Sequence, residues 1–144
     1  MTAEHIFTVE EANRTLPYLR RVVTDLVRDY RAWQDTLAEY ELAAARRRAA
    51  EDGGPDDEGE ANALERRAAA LAKAIETYLA EIAAVGAEVK GFAEGLVDFP
   101  GEIDGRPVRW CWMLGEPAVE HWHDAESGFS GRQTIASLAT AQHG

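Results

Sequence analysis

The chain has 144 residues, a single cysteine and a net charge of −11. That length suits one domain with a real core, and the lone cysteine excludes an intrachain disulfide and fits a reducing cytoplasm. The acidity argues against nucleic-acid binding, and no apolar run approaches the roughly 18 residues of a membrane span.

The N-terminus, MTAEHIFTVEEANRT, has no basic-then-apolar pattern, so no signal peptide is expected. Thr8-Val9-Glu10-Glu11 has the form of a capping box and opens the first helical signal. Pro17 disfavours helical geometry at Leu16, which predicts a break at Thr15–Leu16 and a restart with Pro17 in the first turn of the next helix. From Leu16 an apolar seam runs through Leu19, Val23, Leu26, Tyr30, Trp33, Leu37, Tyr40 and Ala44 at 3-4 spacing. Arg46, Arg47 and Arg48 are followed by Glu51 and Asp52 and read as a solvated helix face.

Residues 51–60, EDGGPDDEGE, read as an exposed acidic loop. A second seam follows at Leu64, Ala68, Leu71, Ile75, Tyr78, Ile82, Val85, Val89 and Phe92. The two seams predict an antiparallel helical hairpin over 17–92, with facing positions such as Leu37 and Ile75, or Leu26 and Val85. Val22, Val27 and Leu79 lie beside the seams at the base. They call for a third layer there, or for two hairpins joining in a four-helix bundle.

After Gly95 the period changes to two. Leu96–Ile103 and Arg106–Leu114 read as a β-hairpin around the Asp104-Gly105 turn, with Val119–His123 as a third short strand. Asp124–Arg132 reads as a loop, and 134–144 as a flexible tail. The expected fold is α+β and mostly α. It is a long antiparallel helical (coiled-coil) hairpin with a small C-terminal antiparallel β-unit packed at its base. All of 1–144 forms a single domain, with a helical region over 8–94 and a β-unit over 95–133.

Candidate chemistry concentrates between Trp110 and Arg132. His121 and His123 would share one face of a strand, so both imidazoles could reach one divalent metal such as zinc. Glu116 is a possible third ligand, as are Asp98, Asp124, Glu126 and the Cys111 thiolate. The bland alternative makes His121 a surface residue and His123 a hydrogen-bonded structural one. A second cluster, Asp98, Glu116, His123 and Arg132, reads either as a salt-bridged latch or as a site in which Arg132 holds a small anion, with His123 or Glu116 as acid or base. Cys111 as a nucleophile would need Arg109 or His123 beside it; between two tryptophans it reads as a small core residue.

Three segments, FTVEEANRTLPYL, GLVDFP and CWMLGEP…WHD…GFSGRQ, resemble the bacterial domain-of-unknown-function family 2203 over 6–135. The matching positions are Asp98, Phe99, Pro100, Cys111, Trp112, Gly115, Glu116, Trp122, His123, Gly128, Arg132 and Gln133. The chain departs at His121, where the family more often has a bulky aromatic. The resemblance implies a small cytoplasmic protein with a helical hairpin and a compact C-terminal unit, and it brings no activity with it. The expected function is therefore a non-enzymatic one, self-association as a dimer or contact with a protein partner. The alternative is a small metal- or anion-binding enzyme centred on Glu116, His123 and Arg132.

Overall fold

The computed structural model describes residues 4–50 and 57–136. Helix α1 (Val9–Ala49) opens with the predicted capping box. Thr8 Oγ1 accepts from the Glu11 amide at 3.1 Å, and Glu11 Oε1 accepts from the Thr8 amide at 3.0 Å. The predicted break at Thr15–Leu16 is absent, and α1 runs through Pro17 without interruption. An interior proline removes the bond to the Asn13 carbonyl and costs about 3 kcal/mol. Burial on both sides of it offsets that cost, because Ala12, Leu16, Leu19, Val23 and Leu26 form one continuous buried stripe. Asn13 also ties this turn to the rest of the chain: its side chain donates to the Val9 carbonyl and accepts from the Val119 amide at 2.7 Å.

Helix α2 (Asp57–Val85) packs back along α1. Of the expected acidic loop, 51–56 lie outside the described residues, and 57–60 belong to α2. The Tyr78 hydroxyl donates to Asp29 at 2.8 Å, and Ile75 shares a cleft with Trp33. At the far end Ala43, Ala61 and Ala68 are the buried residues, which makes for thin packing.

The expectation that helix continues through Val89 and Phe92 is overturned. Gly86 ends α2 with φ of +105°, and a Cβ there would lie 3.0 Å from the Phe7 ring. Glu88–Gly91 is instead strand β1. It pairs with β2 (Leu96–Ile103), followed by β3 (Arg106–Met113), β4 (His121–Asp124) and β5 (Gln133–Thr134), in one antiparallel five-stranded sheet in chain order. The β-unit is thus larger than expected and starts earlier. The third strand lies two residues beyond the expected start at Val119, and Thr134, expected in the tail, pairs with His121. Residues 137–144 of that tail lie outside the described residues.

Asp104 and Gly105 both have positive φ, as a two-residue type I′ turn requires, and this turn sets Asp98 opposite Cys111 and Phe99 opposite Trp110. One sheet face carries Val97, Phe99, Val108, Trp110, Trp112 and Trp122. They join Leu16, Leu19, Val23, Leu26 and Ile82 in one core. A Cβ at Gly95 would lie 2.9 Å from Val23 and 3.1 Å from Val27, so the sheet approaches α1 too closely for any side chain there. The third layer predicted from Val22 and Val27 is therefore this sheet, and both residues are buried. Phe7 closes the base: its amide donates to the Pro100 carbonyl, and its carbonyl accepts from the Trp110 indole at 2.7 Å. Among the described residues no helix is long and apolar enough to cross a membrane.

Candidate functional site

The sheet's other face carries a different chemistry. Alternation along the strands places Asp98 of β2, Arg109 and Cys111 of β3, and His121 and His123 of β4 away from the helices. Such a face of an antiparallel sheet is commonly left to water. Here the chain after β4 folds back over it, through a 3-10 turn at Phe129–Gly131, and buries most of these groups.

The four residues expected to converge separate into two pairs. In the first, His123 Nε2 lies 3.0 Å from Asp98 Oδ2, and both side chains are at most 5% exposed. His123 Nδ1 lies 2.8 Å from the Asp124 carbonyl. A carbonyl only accepts, so Nδ1 carries the hydrogen. Asp98 Oδ1 is buried with no hydrogen-bond partner among the described residues.

In the second pair, Arg132 Nη2 donates to Glu116 Oε1, and the same oxygen accepts from the Met113 amide at 2.7 Å. The Glu116 backbone is held as well, since its amide donates to the Met113 carbonyl and its carbonyl accepts from the Trp112 indole. The Arg132 guanidinium lies 4.9 Å over the Phe129 ring. Burial pushes the Glu116 carboxyl pKa up, but Arg132 and the Met113 amide outweigh it and hold the carboxyl below its ordinary range. Burial also works against the Arg132 charge, and the bond to Glu116 reverses that, leaving its pKa raised. This pair links the returning segment to the β3–β4 connection.

His121 and His123 do share a face, as strand period demands, yet they have different partners. His121 Nδ1 lies 3.4 Å from Glu116 Oε2, while His123 faces Asp98. The group whose ligand atoms all lie within 4.8 Å of one another is Asp98, Cys111 and His123, and His121 and Glu116 are not in it. Cys111 sits between the two pairs, fully buried, with Asp98 across the strands and Arg132 reaching its carbonyl at 3.5 Å. Burial and then the Asp98 charge push its thiol pKa up to about 11, which opposes a nucleophilic role at neutral pH.

Asp98 and His123 form the floor of a cavity of about 460 Å3. Lys90, Arg109 and the returning segment Ala125–Phe129 line it as well. Lys90 was missed by sequence reasoning, because β1 was read as helix. Asp124 acts through its backbone, and Glu126 lines the cavity wall. A search of curated proteins and a search of solved structures each return no match. The model of one family, described as an uncharacterised conserved protein family, DUF2203, matches residues 5–135. The chain belongs to the DUF2203 family.

Proposed function

We propose that this protein binds a small, polar, carboxylate- or phosphate-bearing molecule in the cavity over Asp98 and His123. The observation that carries this reading is a buried Asp–His pair lining an open cavity of about 460 Å3 together with Lys90 and Arg109. Ligand sites are concave and use a few fixed polar groups to set orientation. Both ring nitrogens of His123 are engaged, Nε2 by Asp98 and Nδ1 by the Asp124 carbonyl, so the pair shapes the site and contacts to a ligand fall to the other lining groups. The net charge of −11 repels anions at long range, so attraction has to come from the two lining cations. A ligand would draw these from exposed carboxylate partners, Lys90 from Glu88 at 3.0 Å and Arg109 from Glu4 at 3.3 Å. The test is amide NMR of chelator-treated protein titrated with inorganic phosphate and with a dicarboxylate. Shifts confined to β1, the Arg109 region and Ala125–Phe129 are expected. Shifts elsewhere, or none at millimolar ligand, would count against it.

A second reading is self-association as a dimer through the helical hairpin, whose 3-4 seams suit coiled-coil packing. An apolar cleft of about 520 Å3 lined by Tyr30, Trp33, Ile75 and Phe92 supports it. Sedimentation across a concentration series tests it: Trp33→Glu should shift any dimer toward monomer, and a wild-type monomer at every concentration would remove this reading.

A further inference from the structure

We propose that Asp98, Cys111 and His123 are three ligands of a site for a divalent transition-metal cation, with zinc the best match to the donors. Their ligand atoms lie within 4.8 Å of one another, and all three residues are buried. They come from three adjacent strands, β2, β3 and β4, so the sheet holds them in place. One carboxylate oxygen, one thiolate sulfur and one imidazole nitrogen form a donor set that zinc accepts.

The hydrogen bonds around the group bear on it as well. His123 Nδ1 holds a hydrogen against the Asp124 carbonyl. In the neutral imidazole, Nε2 then presents a lone pair to the Asp98 carboxylate 3.0 Å away. A second proton on Nε2 or a bound cation would join the two groups, and the cobalt titration below tests for the cation. A backbone carbonyl on the far nitrogen is the support that metal-bound histidines commonly have. Asp98 Oδ1 is buried with no hydrogen-bond partner among the described residues, which leaves a carboxylate oxygen free to ligate. Nearby Arg132 opposes a cation, but Glu116 neutralises it. Cys111 would bind as thiolate, releasing its proton to solvent as the metal–sulfur bond forms. Asp98 and His123 line the cavity, so a fourth position would open toward it.

This goes beyond the ligand reading and is tested with no organic ligand present. Full-length protein made without a histidine tag is stripped with chelator and titrated with cobalt(II) alone. The expected result is one equivalent taken up, with visible ligand-field bands and a near-ultraviolet thiolate-to-cobalt band, followed by displacement of the cobalt by zinc. Cys111→Ser should abolish the thiolate band. Asp98→Asn should weaken binding by more than about 10-fold, the loss that outer-shell changes alone can cause. Wild-type protein that takes up no cobalt, or takes it up with no thiolate band, overturns the proposal even if a variant fails to fold. A thiolate band that persists in folded Cys111→Ser overturns it too. The phosphate titration on chelated protein is unaffected by either outcome, so the two readings fail separately.

Discussion

The two faces of the sheet are both buried, and they are buried for different reasons. The inner face, with Phe99, Trp110, Trp112 and Trp122, removes apolar surface from water against α1 and α2. Hydrophobic burial is sufficient cause for it. The outer face holds a carboxylate, an imidazole and a thiol under a folded-back segment. Burying polar groups costs free energy unless each is satisfied. Among the described residues Asp98 Oδ1, His121 Nδ1 (3.4 Å from Glu116) and Arg132 Nε lack a hydrogen-bond partner here, against Trp122 Nε1 alone on the inner face. The contrast separates what the fold needs from what it merely tolerates. The inner face explains itself by packing. On the outer face, the Glu116–Arg132 pair explains itself as a fastening, and the Asp98–Cys111–His123 group does not.

The largest effect should come from breaking the inner face. Trp112 is fully buried, and its indole N–H donates to the Glu116 carbonyl at 3.0 Å. Trp112→Ala should cost about 3–5 kcal/mol, by the usual loss for a large buried aromatic, measured by urea unfolding. It should also loosen the outer face, because the same indole holds the backbone of Glu116. A loss below about 1 kcal/mol would mean that the two faces are not joined there.

Next comes the fastening. Glu116→Gln removes the charge facing Arg132 and weakens the acceptor for the Met113 amide. Breaking a fully buried pair costs about 3–5 kcal/mol. With side chains 19% and 12% exposed, solvent screening reduces that to about 2 kcal/mol. Hydrogen exchange should quicken first in the segment Ala125–Thr134. The pH dependence has a definite sign. The folded carboxyl titrates below its ordinary value near 4.3, so its contribution is complete above that value and is lost as pH falls through the folded one. Wild-type stability should therefore fall more steeply than that of Glu116→Gln as acid is added below about pH 5. Parallel acid limbs for the two proteins would show that the pair contributes no stability.

Much of this was legible because it is local. The capping box at Thr8 and the Asp104-Gly105 turn each depend on a few adjacent residues, and the turn alone sets Asp98 opposite Cys111. Strand period put His121 and His123 on one face, as found. The misreadings came where tertiary burial overrode a local rule. Pro17 stays inside α1 because the stripe on either side of it is buried. Val85, Val89 and Phe92 keep helical spacing, yet Gly86 turns the chain and Val89 pairs with Val97 in the sheet. The division of the polar cluster into two pairs depends on where two connections run, 114–120 and 125–132, and no periodicity encodes that. The Gly86 position was the one available signal for β1, and with it Lys90.

The smallest expected change in stability is the sharpest test of the contrast. Replacing Asp98 with Val and His123 with Leu together removes both polar groups and leaves apolar side chains that suit a strand. A buried polar pair replaced in this way is often neutral or stabilising, whereas removing one partner strands the other. Chelated double variant should therefore unfold in urea within about 1 kcal/mol of chelated wild type, and Asp98→Val alone should lose about 2–3 kcal/mol. The double variant keeps Lys90 and Arg109 and lacks the Asp98 charge, so it should still respond to phosphate in the amide spectrum, while its uptake of cobalt should be lost. A double variant that loses about as much as the single one would make the Asp98–His123 pair a second fastening, equivalent to Glu116–Arg132. A stable double variant that no longer takes up cobalt would leave metal binding as the reason for keeping these two groups on the sheet.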